Sequence, residues 1–148
     1  MKKLVLLALI VSLTFAWGCA KKVKSQPEPA PAKAEKVLTP AELYDQEYRK
    51  LPTSHTVVKG ECLWWISEYK QIYNDPFMWP LIYKANRAQI KKSPNLIYPG
   101  QNFAIPRDFT LDEAKAARQM AGKSKKKSDP AATAVLPGSI RTQLGYGF

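Results

Sequence analysis

Large apolar side chains recur along this chain at distinct spacings, and each spacing predicts a different element. The first pattern is the unbroken run "LVLLALIVSLTFAW", Leu4 to Trp17, after Lys2 and Lys3 and before Gly18-Cys19. A basic start, an apolar stretch short of a comfortable membrane span and a small residue at the break predict an export signal over 1–18. Residues 19–38 are dominated by Pro, Ala, Lys and Glu, with almost no large apolar group. Such a segment buries too little surface to fold. It reads as an extended tether reaching roughly 60 Å at about 3.1 Å per residue.

Helical spacing begins at "TPAE". Thr39 is placed as N-cap, Pro40 at the first helical position and Glu42 at the capping-box position. Tyr44, Tyr48 and Leu51 follow at i, i+4 and i+7, a narrow stripe fit to dock on a neighbour, and Pro52 ends this short helix of 39–53. From 54 to 107 the pattern changes. "HTVVK" reads as a strand that Gly60 breaks, and a helix is expected from about Cys62 to Tyr73. Asp75 and Pro76 start a second helix, with Met78, Leu81, Ile82 and Ala85 on one face and Pro80 distorting its early part. "KKSPNLIYPGQ" is a loop by composition, and "NFAIP" alternates as a second strand with Phe103 and Ile105 on one side.

The order is therefore strand, helix, helix, strand, an α+β arrangement. A further helix over 108–122 carries a second capping box at Thr110 and Glu113 and a Gly122 stop. The remainder, 123–148, opens with "KSKKKSDP" and reads as a basic disordered tail. No internal repeat is evident.

Charge narrows the partners. The 148 residues carry 23 Lys plus Arg against 12 Asp plus Glu, a formal net charge of +11, and loss of 1–18 leaves +9. Such a surface favours anionic partners: nucleic acid, lipid headgroups or acidic wall polymers. Export turns this away from nucleic acid. The length holds one modest domain.

Two resemblances follow from these residues. "AWGC" resembles a lipobox, the bacterial lipoprotein cleavage site, which implies acylation of Cys19 and a membrane held through N-terminal lipid. Ala16 and Trp17 depart from its usual residues. Ala20, where an aspartate would resemble a retention signal, implies the outer membrane, facing the periplasm, if the cell has two membranes. The stretch His55–Arg107 is similar to a LysM domain, on the evidence of "HTVVKGECLWWIS" and "NLIYPGQNFAIP" at the right separation. That resemblance covers about a third of the chain. It implies a βααβ module with two helices packed on a two-stranded antiparallel sheet, and binding of peptidoglycan and other N-acetylglucosamine glycans.

The resemblance implies a groove between two loops: Gly60, Glu61, Cys62 and Leu63 in one, and Asn95, Leu96, Ile97, Tyr98, Pro99 and Gly100 in the other. The family usually has Asp then Ser or Thr at positions 61 and 62, so Cys62 loses any hydroxyl contact. Backbone amides and carbonyls in such loops match an N-acetyl group, with Leu96 and Ile97 to receive its methyl and Tyr98 to lie against a sugar face.

Trp64 and Trp65 have two readings. By period alone Cys62, Trp65, Ile66, Tyr69, Ile72 and Tyr73 form the buried stripe; the family pattern instead buries Leu63 and Ile66 and leaves position 65 nearer solvent. The pair is expected mainly to pack; the alternative sets one indole beside the groove. Glu61, Cys62 and His55 do not read as a catalytic set, and Cys62 reads as a small, partly buried group. Asn86 reads as a local helix cap. His55 and the two cysteines match no metal spacing, and no cofactor motif appears. The sequence therefore reads as a non-enzymatic envelope lipoprotein that bridges membrane and peptidoglycan. A scaffold subunit contacting other envelope proteins is the alternative, ahead of an accessory to a wall hydrolase.

Overall fold

The computed structural model describes residues 36–148. The expected export signal, the expected acylation site Cys19 and most of the expected tether lie outside the described residues.

The described chain is α+β, with a two-stranded antiparallel sheet and helices around it. Helix α1 (Pro40–Arg49) starts at the predicted capping box: Glu42 N–H donates to Thr39 Oγ1 at 3.3 Å, and Thr39 N–H donates to the Glu42 carboxylate at 2.9 Å. No residue of α1 is fully buried. The helix is held instead by its tyrosine tips, Tyr44 donating to the Leu136 carbonyl (2.7 Å) and Tyr48 to the Arg107 carbonyl (2.8 Å).

Strands β1 (Ser54–Thr56) and β2 (Asn102–Ala104) pair with His55 opposite Phe103. β1 is shorter than the "HTVVK" expectation, because beyond Thr56 the chain turns to meet the loop before β2. Even so, Val57 N–H donates to the Gln101 carbonyl and Ile105 N–H to the Thr53 carbonyl, both at 2.8 Å, so bonding continues past each end. Phe103 and Ile105 are both buried, as their alternation predicts.

Between the strands run α2 (Leu63–Glu68), a 3-10 turn (Pro76–Met78) and α3 (Trp79–Ala85). α2 stops at Glu68 rather than Tyr73. Tyr69 takes an extended ψ of 134°, which frees the segment after it to insert both Ile72 and Tyr73 into the core; the return needs Asn74 at φ 49°. Leu63 and Ile66 are buried while Trp65 is 54% exposed; of the plain periodic stripe Ile66, Ile72 and Tyr73 are buried, and Cys62 and Trp65 are not. Asp75 caps the 3-10 turn through Phe77 N–H, and Pro80 sits in the first turn of α3, where no N–H is required. The Asn86 amide caps α3 and also bonds both backbone groups of Ala104 at 2.8 and 2.9 Å, clamping α3 to β2.

Helix α4 (Leu111–Met120) has the second predicted capping box and ends at Gly122, φ 104°. It packs on α3 and on the 3-10 turn. There Arg118 forms a buried ion pair with Asp75.

The tail is a correction. Residues 123–148 are ordered, with a 3-10 turn at Lys125–Lys127 and helix α5 (Gly138–Gln143). Ala134, Leu136 and Ile140 are buried in the same core as Tyr73 and Phe103. Val135 N–H donates to the Tyr73 carbonyl at 2.8 Å, and Tyr146 donates to the Pro130 carbonyl at 2.6 Å. A few apolar anchors and these hydrogen bonds outweigh a composition that reads as unstructured.

Candidate functional site

The two loops flagged from sequence are tight turns, and backbone bonds tie them together. In the first, Glu61 N–H donates to the Val58 carbonyl at 3.2 Å, and Gly60 takes φ 94°, a conformation side-chain-bearing residues rarely adopt. In the second loop, Leu96 N–H closes a turn onto the Ser93 carbonyl (3.0 Å) and Gln101 N–H closes another onto Tyr98 (3.2 Å), the latter with Gly100 at φ 86°. Gly100 N–H donates to the Val57 carbonyl at 2.8 Å, which docks the second loop directly beside the first.

Glu61 fixes the first turn. Its carboxylate accepts from Val58 N–H (2.7 Å), from the Tyr69 hydroxyl (2.6 Å) and from His55 Nε2 (2.9 Å). Burial alone would raise its pKa, but the hydrogen bonds from Tyr69, Val58 and His55 together hold it below the usual carboxylate value. The same contact pushes the Tyr69 hydroxyl up. Glu61 is therefore an internal brace with both oxygens committed.

A cleft of about 160 Å³ opens between the two loops. Cys62, Leu63 and Trp64 form one wall, Pro94 and Asn95 the other, and Trp79 from the start of α3 completes it. Of the predicted site residues, Cys62, Leu63 and Asn95 thus meet in one place. Gly60 and Glu61 shape the turn without lining the cleft. Leu96 (41% exposed) and Tyr98 (56% exposed) project from the second loop outside it, as does Pro99, while Ile97 packs against the core. Cys62 is exposed, not partly buried as expected; it is the N-cap of α2, and its sulfur makes no capping bond.

Sequence reasoning missed Trp79 and Pro94 as lining residues. Pro80 obscured the helix start that would have placed Trp79 across from Trp64. The Ser-Pro-Asn turn signal was present, but it located a loop, not a wall. Trp64 packs edge to face on Phe77, ring centroids 4.7 Å apart. The cleft is smaller than the roughly 300 Å³ of a drug-sized pocket. Two indoles, a proline ring and an exposed amide suit a sugar ring or an acetamide group.

Larger clefts lie elsewhere. An apolar groove of about 350 Å³ runs between α3 and α4, and a mixed-charge cleft of about 600 Å³ lies between α1 and α5. Neither contains a residue predicted for the site. Among the described residues no three His, Cys, Asp or Glu side chains cluster as metal ligands, and no helix is long and apolar enough to cross a membrane.

No family model matches the chain, and no solved structure matches it. It is 34% identical over 64 residues to Treponemal membrane protein B of Treponema pallidum (strain Nichols). That match covers 39% of this chain and 20% of the relative, so the chain spans about a fifth of the length of the protein it matches.

Proposed function

We propose that the chain carries, over 54–107, a LysM-type module that binds N-acetylglucosamine-containing wall glycan, above all peptidoglycan, without catalysing its cleavage. The observation that carries this reading is the meeting of Cys62, Leu63 and Asn95 in one aromatic-walled cleft. Those residues come from the two loops between which the resemblance sets its groove, and the strand, helix, helix, strand order around them is the module's order. Indole and proline faces exclude water from sugar C–H groups, and the Asn95 amide and turn backbone supply donors and acceptors.

The envelope is the setting, with Cys19 acylated and the segment to residue 38 acting as spacer. The partial likeness to a protein named as a membrane protein supports that setting. Lipid holds one end and the cleft holds glycan at the other, and tethering raises the local glycan concentration so that a weak cleft gives lasting attachment.

Co-sedimentation of the mature chain with purified peptidoglycan tests the reading. Retention that Trp79→Ala abolishes, with the variant still folded, is the expected result. A chain that stays in the supernatant with intact wall overturns it.

A further inference from the structure

The lysine run after α4, read from sequence as a solvated tail, is folded, and its first lysine packs on a ring behind the cleft wall. Lys123 N–H donates to the Arg118 carbonyl at 2.9 Å. Its ammonium sits 3.9 Å from the centre of the Phe77 ring. Phe77 is the ring that meets Trp64 edge to face. One aromatic ring therefore separates this cation from the cleft wall. From there the chain enters the 3-10 turn Lys125–Lys127, closed by Lys127 N–H on the Ser124 carbonyl (2.9 Å) and by the Ser128 hydroxyl on the Lys125 carbonyl (2.9 Å). Ser128 and Pro130 are buried and Lys115 pairs with Asp129 at 2.9 Å, which anchors the far side of the turn.

Two residues after Lys123, the hydrogen-bonded turn fixes the backbone of three successive lysines, Lys125, Lys126 and Lys127, all exposed. No carboxylate of the described residues pairs with any of them or with Lys123. Like charges held together repel, so an ordered arrangement of this kind favours whatever anion neutralises it. Arg118, the other cation over Phe77, is already neutralised by Asp75. The loop side adds Lys59, Lys91 and Lys92, also exposed and without a carboxylate partner among the described residues. The acid within the first turn, Glu61, is fully committed to internal donors. Glu68 is the one free acid on α2, a helical turn beyond Trp64.

We propose that Lys123, Lys125, Lys126 and Lys127 form an electrostatic extension of the cleft that selects glycan bearing carboxylate-rich peptide side branches over neutral glycan. This rests on the glycan reading above. The cleft supplies contact to the sugar, and the turn supplies charge to the branches beside it. Electrostatic complementarity of this exposed kind acts on specificity and on-rate and is screened by salt.

The test compares two soluble probes on the mature chain by calorimetry: a neutral N-acetylglucosamine oligomer, and a wall fragment of equal glycan length with its stem peptides intact. The wild type is expected to bind the peptide-bearing fragment roughly tenfold more tightly at low ionic strength, with the difference collapsing near 1 M salt, where the Debye length is about 3 Å. The triple variant Lys125→Gln, Lys126→Gln, Lys127→Gln should lose that preference while keeping its affinity for the neutral oligomer. The three side chains are exposed, and a thermal melt matching wild type confirms folding. Equal affinity of wild type for both probes, or an unchanged preference in the variant, overturns the proposal and leaves the glycan reading standing. Failure of wild type to bind either probe removes both. Vesicles containing an anionic lipid form the last arm: binding that the triple variant loses, with no glycan preference in wild type, reassigns the turn to a lipid surface and overturns the proposal.

Discussion

Glu61 is the residue whose replacement exposes how the site is built. Substituting alanine leaves Val58 N–H, the Tyr69 hydroxyl and His55 Nε2 without their common acceptor. The carboxylate is only 11% exposed and His55 18%, so water replaces the Tyr69 and His55 bonds poorly, whereas Val58 is exposed and its N–H can turn to solvent. Hydrogen bonds to a charged group contribute about 1.5–3 kcal/mol each when removed singly, but the three share one acceptor and do not add. A loss of about 3 kcal/mol follows, a fall in Tm of roughly 10 °C for an ordered unit of this size. Glu61→Gln keeps the shape and one acceptor oxygen, so it costs less, about 1–2 kcal/mol. The pH dependence separates charge from shape. The folded pKa of Glu61 lies below its unfolded value near 4.3, so the charge contributes stability fully above about pH 5 and loses it as pH falls through the folded pKa. Glu42 and Glu113, at their helix caps, are lowered too and give both proteins a common acid sensitivity. Urea denaturation from pH 7 to pH 3 should therefore show a gap between wild type and Glu61→Gln that closes in acid. A gap that stays constant across that range refutes the brace assigned to the carboxylate.

Other outcomes follow from single contacts. Cys62→Ser supplies the N-cap oxygen that α2 lacks and should raise stability by about 1 kcal/mol in the same urea assay. The exposed Cys62 thiol should react with a maleimide without denaturant, and the bulky adduct should abolish retention on peptidoglycan. Leu136→Ala, at a fully buried tail position, should cost about 2–4 kcal/mol, whereas a disordered tail would show no change. Asp75→Asn leaves the buried Arg118 guanidinium without its counter-charge and should cost about 3–5 kcal/mol, read by thermal melting.

The elements with strong local chemistry were legible in the sequence. Both capping boxes, the Gly122 stop and the Asp75 cap sit where their side chains demand, because each is decided within one helical turn. Phe103 and Ile105 were readable because alternation fixes the face of a strand. The end of α2 was not readable. The apolar period runs on through Ile72 and Tyr73, and only the tertiary demand for both in one core breaks the helix at Tyr69. The tail escaped for the opposite reason: its lysines and small residues dominate the composition, while its signal is the sparse i, i+4, i+8 series Leu136, Ile140 and Leu144. At the site, the loops were legible through their glycines and prolines. The depth of the cleft depends on Trp79, which only the packing of α3 against α2 brings across from Trp64.

A heteronuclear titration of the isotopically labelled mature chain with wall-derived oligosaccharide asks whether the two loops and the facing indoles hold sugar. The amides of Cys62 to Trp64, the amide of Asn95 and the indole N–H groups of Trp64 and Trp79 are expected to shift together along one saturable curve. Resonances of these groups that stay in place at saturating oligosaccharide, or shifts confined to α1 and α5, would contradict the glycan reading.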